Sequence, residues 1–477
     1  MLFIRDTDVG REFGVELIRS DQMDNALLLW DRVSKGNPPW RNTQDDIESV
    51  NLAKHIADTR ARLVTLDIGL SVSGVTGSGG AESSLLTGRP SSAEEAPPRV
   101  QLLQTIADDL LKRLPEKVSD AERLGGMMFK WNGKTWDYIL PGSFGVTEKD
   151  ANGEITGAIF ASYIRQGREQ YTRLEYHRFL GSVYAVTNRA YHNQVISGEK
   201  YTLGARVPLK TVTAWAEIRD EVRIENLAAP LFAFYRVPGA NTIDPSSPLG
   251  LSVFANAIQE LQAVDVAFSR KGAEVADSKH ITFVGQSAIQ FSQSHNITLP
   301  RFVKALGVGL NDLDKSAVHE HVPTLLTEER IRDINFDLSL AGVKCGFSEG
   351  VFVLDGQTGM MTATQVEADD RDTIQTIKAD RDALKGAIER AMQGADAMIS
   401  LYGLAPFERY QLHFHFGDVT YNYEEDKANW KSYVMQGWIP KWLYFVKFEG
   451  MSEEEAKALC AEAESAGQKA ELFGMAE

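Results

Sequence analysis

The sequence predicts an α+β chain, and three stretches carry that expectation. Between Gly126 and about Leu209 the residues alternate and break at turn signals, which is strand texture. From Thr327 to Gly403 they read as a short helix, a Gly-rich hydrophobic loop and a helix of roughly forty residues. Between these lies a mixed run over 279–325, set like an insertion between two helical patterns.

Taken in order, residues 1–75 read as mainly helical, with Trp30 and Trp40 bracketing a turn at Gly36-Asn37-Pro38-Pro39. From Asn42 to Asp67, the residues Ile47, Val50, Leu52, Ala53, Ile56, Ala57 and Leu63 follow an amphipathic helix pattern. Gly74 to Pro98 is low in complexity and is expected to be a mobile surface loop or insertion. A helix is expected over Gln101–Leu114. Asn132-Gly133 marks a hairpin and Asp150-Ala151-Asn152-Gly153 a second turn, while Tyr176–Phe179 and Val183–Thr187 alternate as strands. Pro248 is expected to open a helix capped by Ser246 or Ser247, burying Leu251, Phe254, Ile258, Leu261, Val264 and Phe268. Thr327 is a good N-cap, with Glu328 and Glu329 in the first turn of a helix whose apolar stripe is Ile331, Ile334, Leu338 and Ala341. Glycines then punctuate Lys344 to Gly359. After Thr362 a long helix carries Ile374, Ile377, Arg381, Leu384, Ile388, Ala391, Ala395, Met398 and Tyr402 at spacings of three and four. At about 1.5 Å per residue such a helix spans roughly 60 Å. Tyr410–Phe416 alternates as a strand, and a capped helix starts near Ser452.

The 477 residues suffice for about two to four domains. Fifty basic against 66 acidic residues give a net charge of −16, which argues against a free-standing nucleic-acid binder. An acidic protein can still handle DNA by enclosing it, since repulsive walls keep the strand from sticking. Cys345 and Cys460 fit no metal or redox spacing and are expected to be free thiols in a reducing compartment. The N-terminus lacks a signal-peptide apolar region, and no apolar run approaches the roughly 20 residues of a membrane span. The expected location is a cytoplasm, or a particle assembled there.

Chemical motifs are scarce. No G-x-x-x-x-G-K-[ST] or H-E-x-x-H run occurs, so no P-loop nucleotide site is supported. His319/His321 and His413/His415 each share a strand face and supply two metal ligands at most. Asp418 is the one plausible addition to the second pair, and surface or packing histidines explain both pairs more simply. Asp369, Asp370 and Asp372 read as helix-dipole compensation, with a metal site or a DNA-repelling rim as alternatives. The Lys344–Thr362 loop carries Phe347, Val351, Phe352, Val353, Leu354, Met360 and Met361. Two readings stand side by side: a buried hairpin, or a mobile loop projecting toward a partner.

Several pieces, in their order along the chain, carry a resemblance. They are Pro39-Trp40 and Asn51-Leu52-Ala53, then Glu175-Tyr176-His177 and Tyr184-Ala185-Val186-Thr187-Asn188. There follow Pro230-Leu231-Phe232, Pro238, Asn241, Asp244 and Ser247–Phe254, and finally Asp355-Gly356 and Met361–Val366. In this order the chain resembles the portal proteins of tailed bacteriophages, of the siphophage type, over nearly its whole length. The resemblance implies a portal-type fold: a β-rich wing, helical stem, small mixed clip, long spine helix and C-terminal helical crown. Carried onto this chain, it makes 1–245 wing, with the segment 74–98 a departure, and 248–277 the first stem helix. It makes 278–325 the clip, 327–343 the second stem helix, 344–362 a tunnel loop facing DNA and 363–403 the long helix. Residues 404–450 would return through the wing and 451–477 would form the crown.

The tunnel-loop residues so implied are Lys344, Phe347, Ser348, Glu349, Val351, Phe352, Leu354, Gln357, Met360 and Met361. The clip residues implied to dock terminase or adaptor are Lys279, Phe283, Phe291, Arg301, Lys304 and Lys315. The implied partners are copies of the chain itself in a ring of about twelve, double-stranded DNA in the channel, the terminase large subunit, the head–tail adaptor, and the major capsid and scaffolding proteins. No membrane, cofactor or catalytic residue is implied, and the implied place is the portal vertex of a virion, reached from the host cytoplasm. Because Glu349 and Asp355 stand against Lys344, the loop is not a basic clamp, and weak contacts suit a sliding channel. The alternatives are a metal-dependent hydrolase or nuclease acting through the histidine pairs, and a minor capsid or scaffold protein using the long helix.

Overall fold

A computed structural model describes residues 7–41, 46–75, 96–194, 203–277, 281–285, 294–295, 303–306, 318–321, 326–354, 371–417, 430–435, 439–449 and 456–461. The chain is mixed α and β, as expected, and divides into two compact units, Met1–Phe416 and Gly417–Glu477.

The first unit opens with α1 (Thr7–Phe13), α2 (Asp21–Ser34) and α3 (Leu52–Val64). Ser20 caps α2 by accepting from the Met23 N–H. The amphipathic run expected from Asn42 becomes helical only after Asn51, because its backbone is used elsewhere. The Glu48 N–H donates to Ser269 Oγ (3.0 Å) and the Val50 N–H to Asp265 Oδ1 (2.8 Å), while Trp40 Nε1 donates to Asp265 Oδ2 (2.9 Å). The low-complexity segment lies outside the described residues over 76–95. At its edges stand the strand β1 (Gly69–Gly74) and helix α4 (Pro98–Leu124).

Helix α4 is longer than the expected 101–114. Pro98 occupies its first turn, and the buried stripe Leu103, Ile106, Leu110, Leu114 continues past Pro115 through Val118 and Ala121. Continued burial there offsets the roughly 3 kcal/mol that an internal proline costs. Gly125 ends the helix at φ +83°, and a Cβ on it would meet Gly250 O at 2.4 Å, so a close backbone approach requires glycine.

Two sheets follow. The strands β2 (Gly126–Trp131) and β3 (Trp136–Ile139) form the expected hairpin at Asn132-Gly133. The strands β4 (Phe144–Lys149), β5 (Ile155–Gln166), β6 (Glu169–Leu180), β7 (Val183–Gln194) and β8 (Ala205–Val207) lie in that order in one antiparallel sheet, with β9 (Glu221–Glu225) also paired to β7. The strand β10 (Ala233–Arg236) joins the other edge of β2. Strand β2 is buried at every residue because both its faces are covered. Met128 and Phe234 meet Phe144, Val146, Ile155, Ala158 and Phe160 of the larger sheet. On the opposite face Trp136 Nε1 and Tyr138 Oη, both on β3, donate to the α4 carbonyls of Ile106 and Leu110.

Helix α5 (Ile258–Asp277) starts ten residues after Pro248, behind a short 3-10 turn. The intervening backbone docks on α4, with the Val253 N–H donating to Glu122 O (3.0 Å) and Gly250 set against Gly125. Ser246 hydrogen-bonds Asp244 rather than capping a helix. Phe254, Leu261 and Val264 are buried as expected.

Next come β11 (Ile281–Gly285), β12 (Val303–Leu306) and β13 (Val318–His321), a three-stranded sheet in the order β12-β11-β13, parallel on one side and antiparallel on the other. Helix α6 (Thr327–Lys344) runs antiparallel to α5. Ion pairs fix that direction at both ends, Glu274–Arg330 at one and Glu260–Lys344 at the other. Helix α7 is described over Arg371–Leu401, so its expected first turns fall outside the described residues. It buries Ile377, Leu384, Ile388, Ala391 and Ala395 of the expected seam, together with Thr373, Asp380, Met392 and Ile399, whereas Tyr402 is exposed. The strand β14 (Tyr410–His415) pairs antiparallel with β1.

In the second unit, α8 (Lys441–Glu449) carries Trp442, whose ring lies 4.4 Å from Lys457 Nζ. Ala456 is buried.

Candidate functional site

The element singled out by the sequence is the turn between α6 and α7, described from Lys344 to Leu354. Gly346, at φ +80°, stops α6, with its own N–H on Val343 O (3.0 Å) and the Phe347 N–H on Gly342 O (3.0 Å). That pair of bonds is a Schellman cap. Gly342 leaves room for Phe352, whose ring would come within 3.0 Å of an added Cβ. The Phe352 ring meets Phe347 edge-on at 5.0 Å and His55 of α3 at 5.7 Å. Ser348 then ties the turn to α7. Its N–H donates to Thr373 Oγ1 (2.7 Å), and its Oγ accepts from the Thr373 N–H (3.3 Å). The Leu354 N–H closes back on Asn335 Oδ1 of α6 (3.1 Å).

Of the two readings of this loop, these contacts support the buried one for Phe347 and Phe352. Phe347, Ser348 and Phe352 are buried, because the two glycines let the turn fold back onto α6 and α3. Glu349, Val351 and Leu354 are exposed, and Lys344 is paired with Glu260. Gln357, Met360 and Met361 lie outside the described residues. Of the clip candidates, Phe283 lies on β11 opposite His319, and Lys304 on β12 pairs with that same position. Lys279, Phe291, Arg301 and Lys315 lie outside the described residues, as do Asp369, Asp370 and Asp418.

Beneath the turn is a charged cluster that no local motif announced. Arg60 of α3 makes a two-pronged pair with Asp380 of α7, Nε to Oδ2 at 2.6 Å and Nη2 to Oδ1 at 2.8 Å. Its Nη1 donates to Cys345 O at 3.0 Å. Glu122 of α4 stands beside them with Oε2 3.5 Å from Arg60 Nε, and Tyr235 Oη of β10 donates to its Oε1 at 2.7 Å. Arg60 is 6% exposed and both carboxylates 0%, so solvent neutralises nothing here. Two carboxylates share one guanidinium, so one keeps its proton. Asp380 holds the guanidinium and is the charged partner. Burial, then the neighbouring Asp380 charge, push the Glu122 carboxyl up to about 8. Burial likewise pushes the Cys345 thiol up to about 12.

A second buried cluster lies under the large sheet. The Leu231 N–H donates to Tyr184 Oη (3.2 Å), so the hydroxyl proton goes to His177 Nδ1 (2.9 Å) and the Nε2 proton to Glu175 Oε1 (2.7 Å). Burial lowers the His177 pKa, which keeps this ring neutral. Lys130 (2.8 Å) and Arg173 (3.0 Å) complete the shell of Glu175 and hold its pKa well below the usual value against its own burial. From Leu231 through Tyr184 and His177 to Glu175 the bonds run unbroken, and their place is between strands, as a core fixture.

His413 and His415 share the exposed face of β14, as their spacing predicts, and His413 Nε2 sits 2.8 Å from Ser73 Oγ. Among the described residues, no group of three His, Cys, Asp or Glu side chains is placed to hold a metal ion. No helix among them is long and apolar enough to cross a membrane. No protein-family model matches the chain, and no curated protein is significantly similar to it in sequence.

Proposed function

We propose that this chain is the portal subunit of a tailed bacteriophage, a ring-forming protein without catalysis of its own. In this reading about twelve copies close around a channel. Double-stranded DNA is packaged and later ejected through it. The terminase large subunit docks first and the head–tail adaptor afterwards, at the vertex where the major capsid and scaffolding proteins assemble.

One observation carries the reading beyond the resemblance. The helices α5 and α6 form an antiparallel pair locked by ions at both ends, with the small three-stranded sheet inserted at one end and the capped turn at the other. That is the expected order of stem, clip and loop. The outer face of α6 leaves Phe336 at 68% exposure and Val343 at 49%, and Leu354 beside it at 62%. An apolar stripe of this kind suits a neighbouring copy better than water. At the turn Glu349 is exposed and the exposed Lys344 is paired with Glu260, so among the described residues there DNA meets no unpaired basic side chain.

The test is native mass spectrometry of the purified chain with negative-stain images of the same sample. A closed ring of about a dozen copies with a central hole is expected. A stable monomer or dimer under assembly conditions overturns the reading.

A further inference from the structure

Arg60, Asp380, Glu122 and Tyr235 come from four different elements and form one buried cluster, whose guanidinium alone reaches the α6–α7 turn, at the Cys345 carbonyl. A buried ion pair that only joined α3 to α7 would need Arg60 and Asp380 alone. The third group, Glu122, has a buried Oε2 with no hydrogen-bond partner, 3.5 Å from the guanidinium that Asp380 already holds. Its carboxylate competes for Arg60 whenever it is charged.

We propose that this cluster is a proton-controlled latch on the turn. With a proton on Glu122, Arg60 is committed to Asp380 and to the Cys345 carbonyl, and the turn stays folded against α3. When Glu122 loses that proton, the guanidinium is shared between two carboxylates. Its hold on Cys345 O weakens, and residues 345–354 detach from the helices that cover them.

The charged or titratable groups facing Glu122 are Arg60 of α3, Asp380 of α7 and Tyr235 of β10. On the turn side the Cys345 thiol faces Arg60, with Glu260 of α5 and Lys344 of α6 next to it. Arg60 remains a cation, and the Cys345 thiol and the Tyr235 phenol are both raised far above neutrality. Glu122 is therefore the group whose ionisation changes the cluster near neutral to mildly alkaline pH. The inference rests on the fold alone and stands whether or not the chain closes into a ring.

Cys345 is its own reporter, because it is 2% exposed and becomes reactive only when the turn opens. In the full chain carrying Cys460→Ser, the rate of maleimide labelling at Cys345 is measured from pH 6.5 to 9.5. Dividing by the rate in urea-unfolded chain at each pH removes the thiol's own ionisation. Protection is expected to fall with rising pH up to the Glu122 ionisation, by up to about tenfold per pH unit, and to level off above it. In Glu122→Gln it is expected to stay high throughout. Amide hydrogen exchange on the same samples should quicken over residues 342–354 at high pH and remain slow in β5–β7. Arg60→Met should give low Cys345 protection at every pH if it folds, and the Glu122→Gln comparison decides the matter if it does not. Protection falling equally in the chain with Glu122 and with Gln overturns the latch. Exchange rising equally in β5–β7 also overturns it, since that is general loosening.

Discussion

At the scale of single residues, the chain's most exposed liability is the charge it has hidden. Removing Arg60 strands Asp380 without a partner, so Arg60→Met should lower stability by about 3–5 kcal/mol in urea titrations. Replacing both partners, as Arg60→Met with Asp380→Leu, should recover most of that loss, because breaking a buried pair costs far more than never having it. Glu122 adds a pH dependence whose sign follows from its raised pKa. Between the ordinary carboxyl value of 4.5 and about 8, the unfolded chain has released a proton that the folded chain keeps. Stability therefore declines as pH rises through that window and levels off above it. Glu122→Gln should flatten the decline, and at pH 8.5 its urea midpoint should exceed that of the parent by the equivalent of about 1–3 kcal/mol. A Gln variant that melts in parallel with the parent at every pH would remove Glu122 from this account. Under the sheet, Tyr184→Phe leaves His177 Nδ1 and the Leu231 N–H unpaired, and should cost about 1–3 kcal/mol by the same measurement.

At the scale of elements, what was legible in the sequence was what neighbours in the chain decide among themselves. The Asn132-Gly133 hairpin, the alternation of β6 and β7, the existence of α6, although Leu326 rather than Thr327 is its N-cap, and most of the α7 seam are of this kind. The errors come from distant parts claiming local backbone. The residues before α3 are straightened by Asp265 and Ser269, more than two hundred positions away. The stretch after Pro248 gives its backbone to α4 rather than to a helix of its own. Nor does any spacing reveal that Arg60 meets Asp380, which lies 320 residues on. The buried hairpin, one of two readings for the loop, describes Phe347 and Phe352 because Gly342 and Gly346 permit close packing. Gly346→Ala tests that cap directly. The positive φ and a Cβ placed 2.9 Å from Thr376 Oγ1 should destabilise the turn by about 1–3 kcal/mol. The effect should appear as faster hydrogen exchange at residues 342–354, and an unchanged exchange rate there would deny the cap its importance.

At the scale of the whole molecule, exposure separates what the chain needs to fold from what it offers to others. Phe336 lies on a helix whose buried side is Ile334, Leu338 and Ala341, so its own ring contributes little to the monomer. Phe336→Asp should change the melting free energy by no more than about 0.5 kcal/mol. The same variant should shift the native mass spectrum from rings to single chains. Rings of undiminished abundance would move the subunit contact elsewhere. The pairing of Arg60 with Asp380, and of β1 with β14, has a further consequence for how the protein is made. Synthesis of the intervening 320 residues takes roughly 15–60 s at ~5–20 residues per second. Throughout that interval the newborn N-terminal half holds Arg60 without Asp380 and an open strand edge at β1. A chaperone that shields exposed edges during translation should therefore raise the yield of this chain, and its benefit should vanish for fragments that end before Asp380.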